Sequence, residues 1–145
     1  MKRSEIDHSI DRALEFFDSM HFPLPHWARW SPEDWARAGE EYKEVMELRL
    51  GWDVTDFGSG DLANIGRTIF TLRNGVSRGD ASPRTYAEKV MCLVPGQKSV
   101  IHAHRMKCED IVCRGGGQVK IELWRGASDG VLWTDPVSVS IDGRN

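Results

Sequence analysis

One stretch, Gly96–Gly116, limits what this chain can fold into more than any other. It reads Gly-x5-His-x-His-x4-Glu-x6-Gly, with His102, His104 and Glu109 at the polar positions. Val100-Ile101-His102-Ala103-His104 alternates. On a strand, residues two apart share a face, so this spacing predicts both imidazoles on one side. Glu109 opens the next predicted strand, where an antiparallel return would deliver its carboxylate to the same point. Two neutral imidazoles and one carboxylate suit Mn, Fe, Zn or Ni and leave positions open for water or substrate. Cys108 sits beside Glu109, and adjacent residues on an extended segment face opposite ways, so at most one of the pair serves such an ion.

Composition narrows the function classes. The chain has 145 residues and a mass of 16.4 kDa, which fits one domain, 1–145, large enough to bury a core without staples. A net charge of −3 argues against nucleic acid, because neutralising phosphates needs a concentrated basic surface. Cys92, Cys108 and Cys113 are odd in number and lack Cys-x-x-Cys spacing, which favours neither a disulfide framework nor a zinc ribbon. The N-terminus carries basic residues without a following apolar run, and no stretch is long enough to span a bilayer. The expectation is a cytoplasmic protein with no membrane partner.

Residues 1–51 read as helical and 52–145 as β. Ser4 is the expected cap of a first helix, with Asp7 at the capping-box position and Ile6, Ile10, Ala13, Leu14 and Phe17 on one face. Ser31-Pro32-Glu33-Asp34-Trp35 predicts a second helix start, continuing through Tyr42, Val45 and Arg49 to Gly51. His8, His21 and His26 fall in this region and read as surface or packing residues. Trp27, Trp30 and Trp35 cluster where helices must meet strands, so packing is their default role.

Strands are predicted at Trp52–Thr55, Thr68–Leu72, Tyr86–Val94, Ser99–His104, Glu109–Cys113, Gln118–Trp124, Val131–Thr134 and Pro136–Ile141. Asn74-Gly75, Pro95-Gly96 and Gly115-Gly116-Gly117 read as turns. Short, evenly spaced strands with glycine-rich turns predict an antiparallel sandwich or jelly roll.

The Gly96–Gly116 skeleton matches the first motif of the cupin superfamily at every fixed position. Further stretches resemble the D-lyxose isomerase family: Met1–Ile6, Trp30–Trp35, Trp52–Gly60, Phe70–Gly75, Tyr86–Lys89 and Arg114–Gly117. The resemblance spans nearly the whole chain, and Trp52–Gly60 and the histidine motif are its most specific parts. It implies a mainly β, cupin-type antiparallel jelly-roll barrel with two N-terminal α-helices packed against it. It also implies metal ligands at His102, His104 and Glu109, manganese as the first-choice ion with Zn, Fe, Co or Ni as substitutes, and a homodimer acting on a sugar. Lys89 matches a pocket-lining lysine and is the catalytic candidate; Lys107, between His104 and Glu109, is the substrate-binding candidate. The superfamily draws a fourth ligand, a histidine, from a later strand, and this sequence has no histidine after His104. The barrel is therefore expected to be incomplete at the C-terminus and the isolated chain weakly active or inactive.

The implied activity is metal-dependent interconversion of D-lyxose and D-xylulose, with D-mannose and D-fructose as a second pair. Two other classes share the ligand set: a non-catalytic metal-binding cupin that binds sugar or regulates, and an Fe-dependent cupin oxygenase.

Overall fold

The computed structural model describes residues 1–75, 85–104, 108–126 and 130–144. The chain divides into two compact units, Met1–Val100 and Ile101–Asn145. The architecture is mainly β: helices precede the first strand and the strands pair antiparallel in open sheets, as an incomplete cupin barrel would. No helix among the described residues is long and apolar enough to cross a membrane.

In the first unit, α1 covers Arg3–Ser19 and buries Ser9, Ala13 and Phe17 along one face. Its cap is Lys2 rather than the expected Ser4; the Lys2 N–H is taken by the Glu5 carboxylate, and Asp7 pairs with Arg3 at 3.0 Å instead of closing a capping box. The expected second helix is divided into α2 (Pro32–Trp35), a 3-10 turn at Glu40–Tyr42 and α3 (Lys43–Glu47). Ser31 caps α2 as predicted, with its hydroxyl accepting from Asp34 N–H at 3.2 Å and Asp34 accepting from Ser31 N–H at 3.0 Å. Gly39 then takes an extended conformation and breaks the run, where a glycine costs a helix about 1 kcal/mol relative to alanine.

Three strands follow, β1 (Gly51–Thr55), β2 (Arg67–Arg73) and β3 (Glu88–Cys92), ordered β1-β2-β3. The register aligns Trp52 with Phe70 and Phe70 with Val90, and Val54 with Thr68 and Thr68 with Cys92. One sheet face therefore carries Trp52, Phe70, Val90 and Cys92, and α1 lies on it. Ala13, Phe17 and Cys92 form the buried cluster, with Phe16, Phe22, Leu24, Trp52 and Val90 packed around it. Trp52 stacks on Phe17 at 6.4 Å and meets Phe70 edge-on at 4.9 Å, while its indole N–H donates to Ala28 O at 2.7 Å. Burial pushes the Cys92 thiol upward in pKa, as an apolar setting must.

The aromatic residues expected at the helix–sheet junction are found there. Trp27 stacks on the fully buried Phe70 at 5.1 Å, and Trp30 packs on Trp35 at 4.9 Å and Tyr42 at 4.5 Å. His26 bonds Tyr42 Oη at 2.9 Å, a packing histidine as read. Asn74 donates to Leu48 O at 2.9 Å, so it ties the end of β2 to the end of α3.

In the second unit, β4 (Arg125–Gly126) and β5 (Leu132–Trp133) form a two-stranded sheet. The predicted strands Ser99–His104, Glu109–Cys113, Gln118–Trp124 and Pro136–Ile141 carry no ladder among the described residues. Alternation makes such segments two-faced, but a ladder also needs a partner's N–H and C=O groups. Here Val119, Ile121 and Leu123 remain exposed. Gly115 and Gly116 bend the chain with positive φ, as the triple-glycine turn requires.

Candidate metal centre

His102, His104 and Glu109 all lie in the second unit. The His102 and His104 rings meet edge to face, with centroids 4.7 Å apart and planes at 86°. His104 Nε2 lies 3.0 Å from Glu109 Oε2. Two donors bonded to one ion at about 2.0–2.2 Å stand roughly 2.8–3.6 Å apart for octahedral to tetrahedral angles. The His104–Glu109 separation is thus already that of two ligands sharing an ion. In the protein alone the same contact is an imidazole–carboxylate pair, an ion pair only when the imidazole is protonated.

Both side chains are partly open, His104 to 31 % and Glu109 to 41 %, so an ion can reach them from solvent. Among the described residues, no group of three or more His, Cys, Asp or Glu side chains is already arranged to hold an ion. His104 instead links two pairwise contacts. The donor set fits a divalent cation: imidazole nitrogens suit borderline first-row ions, and the carboxylate offsets part of the charge. Cys108 and Cys113 are exposed free thiols, and Cys92 is a buried one.

Lys89 belongs to the first unit, in β3 opposite Thr71. Its register parity puts it on the sheet face away from α1, and it is exposed there, whereas Val90 and Cys92 take the helix-covered face. Lys107 lies outside the described residues. His8 and His21 are exposed in the helical region.

The turn that opens the histidine motif is also defined. Gln97 N–H donates to Val94 O at 3.0 Å and Gly96 sits at φ 82°. Spacing alone gave no reason to single out Gln97, yet its side chain bonds residues on two separate segments. The signal available in sequence was only its place between Gly96 and His102.

Comparison with known proteins shows the family. The D-lyxose isomerase family matches residues 1–145. A D-lyxose/D-mannose isomerase of Escherichia coli O157:H7 is 40 % identical over 144 residues, 99 % of this chain and 63 % of the relative. A D-lyxose/D-mannose isomerase of Serratia proteamaculans is 39 % identical over the same coverage, 99 % and 63 %. The chain thus spans just under two thirds of the length of these curated relatives. With the family matched from end to end and the His-x-His and Glu positions in place, the chain belongs to the D-lyxose isomerase family.

Proposed function

We propose that this chain carries the metal centre of an aldose–ketose isomerase that converts D-lyxose to D-xylulose and D-mannose to D-fructose. The family match over residues 1–145, with His104 and Glu109 in contact at the positions expected to ligate, carries the reading. The reaction moves a proton between C1 and C2 and leaves the sugar's composition unchanged. The site must therefore stabilise charge on the sugar oxygens and transfer a proton, with no redox partner.

A divalent ion, manganese first, held by His102, His104 and Glu109, would supply Lewis-acid polarisation of the carbonyl and a positive centre for developing oxygen charge. Glu109 is a poor base for the proton transfer, because its Oε2 is engaged by His104 Nε2. A different group carries the proton. Lys89, an exposed cation on the sheet face away from α1, is assigned the role of neutralising charge on a sugar oxygen. A homodimer is the assembly expected, read as a doubled mass by light scattering.

The test is to strip the protein with chelator, restore Mn(II) and measure ketose formed from D-lyxose. Turnover that appears only with the ion supports the isomerase. Oxygen uptake with Fe(II), or tight sugar binding with no ketose formed, would replace it with the oxygenase or the binding module.

A further inference from the structure

Arg67 opens β2, directly opposite Thr55 of β1. Its guanidinium carbon lies 4.9 Å from the centre of the Phe57 ring, so an aromatic face holds the cation in place. The Arg67 Nε is buried with no hydrogen-bond partner, and no carboxylate among the described residues pairs with the guanidinium. Arg67 as a whole is only half-buried, so solvent still reaches the side chain. A cation desolvated at one end and neutralised by no acid is unfavourable in the protein alone, and an anion at its open side would relieve that cost.

Two further donors stand beside it in the same unit. The Thr55 hydroxyl accepts from Phe57 N–H at 3.0 Å and keeps its own proton to donate. Lys98 O accepts from Gly66 N–H at 2.9 Å, which sets Lys98 against the residue preceding Arg67. Ile65 and Lys98 form a parallel bridge, and residues two apart on an extended run share a face, so register places Lys98 and Arg67 on one side. Lys98 is exposed and likewise pairs with no carboxylate among the described residues. The acids of the adjoining loop are engaged locally: Asp56 accepts from Gly58 N–H at 2.9 Å, and Asp61 accepts from the Asn64 amide at 2.9 and 3.1 Å.

We propose that Arg67, Lys98 and the Thr55 hydroxyl form a binding site for a phosphate group, separate from the residues assigned to the metal. The planar fork of Arg67 takes two oxygens, and Lys98 adds a point charge from the neighbouring segment. A carboxylate has two oxygens, which the fork alone would occupy. A phosphate has oxygens left for Thr55 and Lys98 and enough charge to offset both cations. Thr55 and Phe57 belong to Trp52–Gly60, a stretch that the metal reading leaves unused. The inference does not depend on that reading.

The experiment follows the Nε–Hε resonance of Arg67 by nuclear magnetic resonance while inorganic phosphate is titrated into the 145-residue chain, with chloride holding the ionic strength constant. The resonance should move saturably. Arg67→Lys, which keeps the charge and loses the fork, should bind phosphate at least about tenfold more weakly, read at the amides of Thr55 and Gly66. Lys98→Met should bind about two- to fivefold more weakly, the scale of one exposed charge. Lys43→Met, which removes a lysine already paired with Glu47, should bind as the wild type does. A second titration uses an aldose 6-phosphate and the unphosphorylated aldose. Equal affinity for the aldose phosphate and inorganic phosphate assigns the site to free phosphate; tighter binding of the former assigns it to a sugar phosphate. An Arg67 resonance that does not move saturably with either phosphate would overturn the proposal, and that result needs no variant to fold. Wild-type affinity in Lys98→Met and Arg67→Lys would overturn it, as would equal weakening in Lys43→Met, because bulk charge would then explain the effect. The same movement with the unphosphorylated aldose would replace phosphate recognition with recognition of sugar hydroxyls.

Discussion

His104 Nε2 stands 3.0 Å from Glu109 Oε2, an imidazole and a carboxylate five positions apart in the chain that meet at donor–acceptor distance. The contact separates charge from shape as contributors to the site. Glu109→Gln retains an oxygen that can accept from His104 but removes the negative charge that offsets a divalent ion. The variant should fold with an unchanged circular dichroism spectrum and bind Mn(II) at least about tenfold more weakly. Wild-type affinity in Glu109→Gln would mean that the carboxylate is not a ligand.

Lys89 provides a second separation. It is an exposed cation on β3, in a different unit from the His-x-His segment, and no ligand role is assigned to it. Lys89→Met should leave Mn(II) affinity unchanged and lower ketose formation by about 10²-fold, the usual cost of losing one oxyanion partner. Turnover equal to wild type would remove Lys89 from the mechanism.

The core prediction concerns Phe70. It is 0 % exposed and contacts both Trp27 and Trp52, so its ring joins the 3-10 turn at His26–Arg29 to the sheet. Phe70→Ala should cost about 3–5 kcal/mol in urea unfolding, combining lost transfer energy with a residual cavity. A loss below about 1 kcal/mol would show that this aromatic cluster is not the core of the unit.

Acid stability follows from Asp56. The carboxylate is 8 % exposed, and the hydrogen bond from Gly58 N–H holds its pKa below the ordinary value of 3.8. Asp34 is lowered as well, by the backbone and side-chain bonds from Ser31. A carboxyl group with a depressed folded-state pKa stabilises fully above its unfolded pKa and loses that contribution as pH falls through the folded value. The gap in stability between wild type and Asp56→Asn should therefore be constant from about pH 7 to about pH 5 and shrink below about pH 4. A gap that widens on acidification would reverse the assigned sign.

Much of the first unit was legible in sequence because its signals are local. The Ile6, Ile10, Ala13 and Phe17 spacing marked α1, and β-rich runs bounded by turns marked β1, β2 and β3 within a residue or two. What failed was competition between local signals. Ser4 looks a better cap than Lys2, yet the helix is capped two residues earlier; the stripe through Trp35, Tyr42 and Val45 looks continuous, yet Gly39 divides it. Alternation in Gln118–Trp124 and Pro136–Ile141 says which residues share a face but not whether another strand lies alongside, and none does among the described residues. For the candidate site, the His-x-His spacing and the Glu109 position were legible, and the structure brings His102 to His104 and His104 to Glu109. The contacts of the Gln97 side chain were not, because one of them is to Leu62, thirty-five residues away in sequence.

The most direct measurement of the central claim is a Mn(II) titration followed by electron paramagnetic resonance, on the wild-type chain and on single alanine variants at His102, His104 and Glu109. One binding site in the wild type, weakened at least about tenfold by each substitution, is the predicted result. A wild type that leaves Mn(II) free in solution, or three variants that bind as it does, would contradict the account.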